Sequence, residues 1–140
     1  LRQLTGGRFP LLRFDRGEEF PAALEEWCAV SGVGSAAVAC GIGMLEETDL
    51  GVFDGASYTH RIFHEPAEVL SLQGNVSMRD GKPFAHVHAS IGMHDFSASG
   101  GHLFSGRVAV TLEVMLCLLE GGLVRHPSEG SFRPLDAAKP

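Results

Sequence analysis

The chain has 140 residues, 44 % of them hydrophobic, which suffices for one compact domain over 1–140 and is too short for two of ordinary size. The 17 acidic against 11 basic residues give a formal charge of −6, which opposes the phosphate attraction that nonspecific nucleic-acid binding depends on. Direct nucleic-acid binding is therefore disfavoured.

Cys28, Cys40 and Cys117 are odd in number, lack Cys-x-x-Cys spacing and sit among apolar neighbours, as reduced core thiols do. A cytoplasmic setting is expected. The chain opens without a charged-then-apolar leader, and its longest apolar run, 108–119, is broken by Glu113 and too short for a bilayer. No membrane partner is expected.

Residues 1–9 carry no sustained period and read as an arm ahead of a first strand over 10–15. Glu18, Glu19, Glu25 and Glu26 then alternate with Phe20, Ala23, Leu24 and Trp27 at three-and-four spacing. That pattern predicts an amphipathic helix ending near Ser31 and Gly32, with its early glutamates at the positive end of the dipole. The small-residue run 34–41 suits a buried strand packed closely on a neighbour. Gly41-Ile42-Gly43 reads as tight strand turning rather than a phosphate cradle, because no third glycine opens a helix.

Segments 44–54 and 58–64 alternate and are separated by Asp54-Gly55, predicting an antiparallel hairpin. A strand over 67–78 follows, with Gly74 marking a bulge or a close backbone approach and Arg79-Asp80-Gly81 marking its turn. Further on, Val108, Val110, Leu112, Val114, Leu116 and Leu118 share one strand face, and the other face is also largely apolar. Both faces then need cover from the helix, a second layer or a partner subunit, although the Leu-rich part also suits a helix. Residues 122–140, with Pro127, Pro134 and Pro140, read as an irregular strap with short pairing. The fold class expected is α/β (α+β): a mainly antiparallel sheet, one amphipathic helix near the N-terminus and a few short helical segments.

The stretch 81–102 holds His86, His88 and His102. Strand periodicity puts His86, His88 and Ser90 on one face and Ala85, Val87, Ala89 and Ile91 on the other. A hairpin closed over 97–101, with Gly100 and Gly101 easing the bend, folds His102 back beside the pair. Three neutral imidazoles with one open position suit a divalent cation such as zinc, whereas two histidines on a wet strand face and one in a turn are also ordinary polar surface. Spacing alone leaves both readings open. His94, of the same parity as His86 and His88, is an equally legal ligand if the strand runs on. His60, His64 and His126 read as surface residues.

Segments 44–54 with Tyr58, 67–75, 81–88 with His86-Val87-His88, Gly100-Gly101-His102-Leu103 and Thr111-Leu112-Glu113-Val114 together resemble the PPC (plants and prokaryotes conserved) domain, in order and spacing over 10–135. The resemblance implies a mainly antiparallel α/β subunit, a homotrimer assembled through exposed sheet surface, and histidines at the family's positions, namely His86, His88 and His102. Plant members carry AT-hook segments that enter the minor groove through an Arg-Gly-Arg core, which this chain lacks, so it looks like the standalone prokaryotic type. Glu113 and Glu68 sit in apolar strands at positions matching the family pattern. Each calls for a fixed partner: a histidine, Arg61, Arg107 or a neighbouring subunit, with Glu113 either orienting a metal-bound histidine or forming a structural ion pair or trimer contact.

Two function classes remain: a trimeric binding or scaffold module with a three-histidine metal site and a protein or small-molecule partner, or a metal-dependent hydrolase or lyase using His86, His88 and His102.

Overall fold

A computed structural model describes residues 1–127 and 133–139. Its elements are β1 (Arg2–Gln3), β2 (Leu11–Asp15), β3 (Glu19–Phe20), α1 (Ala22–Ser31), β4 (Ala36–Phe53), β5 (Tyr58–Phe63), β6 (Ala67–Arg79), β7 (Lys82–Gly92), β8 (Ala98–Leu118), β9 (Leu123–Arg125) and β10 (Leu135–Ala137). They form one ten-stranded sheet in which every pairing is antiparallel except β6 with β9. The mainly antiparallel sheet and single amphipathic helix are as the sequence predicts. The few short helical segments are not found: α1 is the only helix among the described residues.

The long strands carry the architecture. β4 pairs with β6 and β8, and β7 also pairs with β6 and β8, so these four strands form a closed circuit of hydrogen-bonded neighbours. Closure leaves few free edges and encloses apolar side chains, among them Leu45, Leu72, Val87, Ile91, Leu112 and Leu116. α1 adds Leu24 and Cys28 to the same core.

Several boundaries moved for identifiable reasons. The arm at 1–9 folds back, Arg2 opposite Arg13 and Gln3 opposite Leu12, and the terminal ammonium meets Glu18 Oε1 at 2.6 Å. Glu18 and Glu19 precede the helix instead of opening it. Pairing of Glu19 and Phe20 with Arg107 and Gly106 buries Phe20 edge-on against Phe14, and Pro21, which has no N–H to offer, then caps the helix. Only Glu25 lies in the first turn. The helix ends as expected, with Gly32 in the left-handed conformation and Val33 N–H donating to Cys28 O.

Gly41-Ile42-Gly43 lies inside β4, which runs straight through with a register shift after Gly43, so the chain does not turn there. The Leu-rich part of β8 is strand, not helix. Its single-face expectation fails at one position: Leu45 pairs with Val108 and Gly43 with Leu112, so β8 has extra residues between the two pairs. That bulge turns Val110 outwards, 58 % exposed, while Val108, Leu112, Val114 and Leu116 are buried. The expected strap at 122–140 pairs as β9 and β10 where it is described, and 128–132 and 140 lie outside the described residues.

Two glycines set how closely strands approach at the end of the sheet that matters below. A Cβ on Gly74 would stand 2.0 Å from His86 O, and one on Gly101 would stand 2.6 Å from Gly51 O. Both contacts are with backbone, which a rotamer change cannot relieve. Gly74→Ala and Gly101→Ala should each cost about 2 kcal/mol or more, the range of overpacked core sites. Urea unfolding checks this, and a loss below about 0.5 kcal/mol would show that the strands yield freely.

Candidate metal centre and cavity

The Asp80-Gly81 turn, with both residues at positive φ, reverses the chain so that Arg79 faces Lys82 and Asn75 faces His86. β7 then alternates as expected: Ala85, Val87, Ala89 and Ile91 are buried while His86 and His88 face away from the core. The next reversal spans 93–97, closed by Met93 N–H to Ser97 O and by Asp95 Oδ1 accepting from Ser97. This turn comes earlier than predicted, and Gly100 and Gly101 lie within β8. His102 lands directly opposite His88. His94 sits in the turn and takes no part.

The three imidazoles converge. One ligating nitrogen from each of His86, His88 and His102 lies within 4.8 Å of the others, and the ring centroids are 4.9 to 5.4 Å apart. His86 and His102 are half-buried and His88 is exposed, so the group opens outwards. Burial pushes the His86 pKa down to about 4, helped by the charge of Arg125 and by the neighbouring histidines. His102 is likewise pushed down to about 4, by burial first and then by His88 and Arg125, against a small opposing pull from Asp49. Both are therefore neutral at physiological pH and keep a lone pair. His102 Nδ1 is buried without a hydrogen-bond partner, the state expected of a nitrogen awaiting a ligand.

Sequence reasoning missed Arg125. Parallel pairing of β9 with β6 sets Arg125 beside Arg79. The side chain is 7 % exposed. Its Nη2 donates to Asn75 Oδ1 at 3.1 Å and to His86 Nδ1 at 3.0 Å, and its Nη1 donates to Arg133 O at 2.9 Å. A cation that used His86 Nδ1 would compete with this N–H. The local signal was a three-residue Leu-Val-Arg run, and only the long-range parallel pairing gives it meaning.

His86 and His102 also line a cavity of about 870 Å³, together with Arg79, Arg125, Tyr58 and Phe104. His60, expected as plain surface, lines the same cavity and holds Asp49 through Nδ1 at 3.0 Å. His64 pairs with Glu47 at 2.7 Å outside the cavity, and His126 is exposed. Glu113 is not beside the histidines. With Glu68, Ile42, Leu70 and Thr111 it lines a separate depression of about 460 Å³. Neither glutamate has an ion-pair partner among the described residues, because Arg107 pairs with Glu46 and Arg61 stacks on Phe63.

The histidine shifts fix the sign of a pH effect. Protons enter the unfolded imidazoles below their ordinary value of 6.5 but enter folded His86 and His102 only near 4. Stability is therefore complete above about 6.5 and falls as the pH drops towards about 4. On chelator-treated protein, Tm should decline across that window, and His86→Gln with His102→Gln should flatten the decline. An equal slope in the variant would remove these two groups as its source.

The plants and prokaryotes conserved (PCC) domain family matches residues 2–120. No curated protein matches the chain. Among solved structures, the chain is similar to a plant- and prokaryote-conserved protein from Pyrococcus horikoshii, with 32 % identity over 95 % of this chain and 94 % of that one, at a TM-score of 0.85. It is 36 % identical to a metal-containing protein from Archaeoglobus fulgidus over 88 % of each chain, at a TM-score of 0.80. A candidate DNA-binding protein from Bacteroides thetaiotaomicron shares the fold at 25 % identity over 96 % of each chain, with a TM-score of 0.89. On the match over 2–120 and the likeness to the Pyrococcus protein, the chain belongs to the plants and prokaryotes conserved domain family.

Proposed function

We propose that this chain is a homotrimeric metal-binding scaffold protein in which His86, His88 and His102 hold one divalent cation, zinc in the first instance. The observation that carries the reading is the convergence of three imidazole nitrogens within 4.8 Å, two of the rings favouring the neutral form and one nitrogen buried without a partner. The metal-containing relative at 36 % identity supports it. When bound, the ion would supply Lewis acidity and one open coordination position beside the cavity. The chain's own residues orient the site: the His88–His102 register fixes two rings, and Arg125 holds the third through a bond to His86 Nδ1 that it would give up to a cation on that nitrogen.

The trimer reading rests on the second depression. Ile42, Leu70 and Val110 are each more than half exposed on the sheet, at or beside a hollow that also holds Glu68 and Glu113, neither paired with a cation among the described residues. A neighbouring copy would cover the apolar side chains and meet the carboxylates. The unpaired cysteines agree with a cytoplasmic location, and among the described residues no helix is long and apolar enough to cross a membrane. The formal charge of −6 weighs against direct DNA binding by the residues of this chain.

One feature favours a metal-dependent enzyme of hydrolase or lyase type as a second reading: His60, paired with Asp49, lines the same cavity as His86 and His102 and is a candidate general acid or base.

Metal content and solution mass decide between these statements. Protein purified without an affinity tag should hold about one zinc or other transition metal per chain by elemental analysis. His86→Ala, His88→Ala and His102→Ala together should abolish it while the far-ultraviolet spectrum is kept. Retention of the metal by the triple variant would refute the site. Light scattering should give three times the chain mass, falling on Ile42→Glu with Val110→Glu. An unchanged trimer would refute that face. Val114 is unsuitable for this test, being fully buried within the chain.

A further inference from the structure

The cavity beside the histidines has two unlike ends. At one end lie Arg125 and Arg79, and neither has a carboxylate partner among the described residues. Arg125 is 7 % exposed, its Nε has no acceptor, and among the described residues its Nη groups reach only neutral atoms. Arg79 sits over Phe84, its guanidinium carbon 3.5 Å from the ring centre. Arg133 borders the same end but is engaged by Asp80 at 2.7 Å. A nearly buried guanidinium without a counter-ion is an unusual expense in a fold, because its desolvation is not offset by a paired charge.

At the other end, Phe53, Tyr58 and Phe104 form an aromatic wall. Tyr58 is 5.1 Å from Phe53 and stands edge-on to Phe104 at 5.0 Å. Phe53 and Tyr58 are exposed although large and apolar. The two ends are linked by an unbroken run of contacts: Arg125 to His86 at 3.0 Å, His86 to His102 at 4.9 Å between rings, and His102 to Phe104 at 4.4 Å. The acidic residues of the lining are Glu19, from β3, and Glu25, from the first turn of α1. Glu25 is already held by the Ala85 N–H, and Glu19 lies opposite Arg107.

From this arrangement we infer that the cavity binds a small aromatic carboxylate, its carboxylate at Arg125 and Arg79 and its ring against Tyr58, Phe53 and Phe104, with the intervening chain crossing the histidines. The planar two-oxygen head matches the guanidinium fork, and the volume of about 870 Å³ is within the range of small-molecule sites. A carboxylate also supplies the charge that Arg125 and a dication on the histidines would both need. The inference rests on the reading of this cavity as the binding site. Its carboxylate end does not require the metal.

The test is calorimetry on the chelator-treated full chain with benzoate, phenylacetate, 4-phenylbutyrate and phenyl phosphate, and with acetate and benzyl alcohol as controls. 4-Phenylbutyrate, long enough to bridge the two ends, should bind tightest, and removal of either its ring or its carboxylate should weaken binding about tenfold or more. Arg79→Ala and Tyr58→Ala, both at exposed positions, should each produce a loss of similar size. Arg125→Lys keeps the charge without the fork and should weaken binding with its Tm measured in parallel, whereas Arg2→Gln, far from the cavity, should change nothing. No saturable binding below about 1 mM for any aromatic carboxylate, or equal binding of acetate, would overturn the inference. Preference for phenyl phosphate would overturn the carboxylate assignment. Zinc uptake measured separately shows whether the metal reading stands or falls independently.

Discussion

The constraint on which the rest depends is the ladder between β4 and β8. β8 is 21 residues long and borders β2, β3, β4 and β7, so an error in its register would displace almost every other strand. Four register shifts interrupt its pairing with β4. Each bends the ladder and rotates the side chains beyond it, so two long strands can curve enough to meet β6 and β7 on both flanks. The β7–β8 pairing that completes the circuit sets His88 opposite His102.

Much of this was legible because the signals are local. Asp80-Gly81 between two alternating runs names its own turn, and period-two alternation assigns His86 and His88 to the outer face before any contact is known. The end of α1 at Gly32 is equally local. Val110 was misplaced because a bulge breaks the alternation without leaving a mark in an apolar run where every residue is a good strand former. Glu18 and Glu19 were misplaced because helical spacing carried through a strand pair whose partner is roughly ninety residues away in sequence. Glu113 matched a family position, yet what surrounds it is decided by which strands fold beside β8. Those neighbours place it with Glu68, away from the histidines.

Arg125 is the clearest case of information absent from local sequence. It is a basic residue in a proline-flanked tail, and its burial depends on a parallel pairing between two residues of β9 and the end of β6. Once there, it changes the chemistry of residues nearly forty positions earlier. Its N–H to His86 Nδ1 selects the tautomer with the proton on Nε2, and its charge adds to the burial that keeps both half-buried histidines neutral. Hydrogen bonding to the ring nitrogen and repulsion of its proton therefore act in the same direction.

That combination bears on how a cation and a guanidinium share one site. Taken alone, a buried arginine beside three imidazoles opposes a dication through Coulomb repulsion, most strongly where water is excluded. The same arginine adds to the burial that keeps His86 and His102 unprotonated, and so helps to remove the commonest competitor for their lone pairs. The two effects balance differently when an anion enters. A carboxylate that draws the N–H groups of Arg125 towards itself lowers the local positive potential and releases His86 Nδ1 in one movement. In the proposed reading, anion and metal therefore assist each other, and by linkage the assistance is equal in both directions. Arg125, which has no carboxylate partner among the described residues, is then a coupling element between the two halves of the cavity.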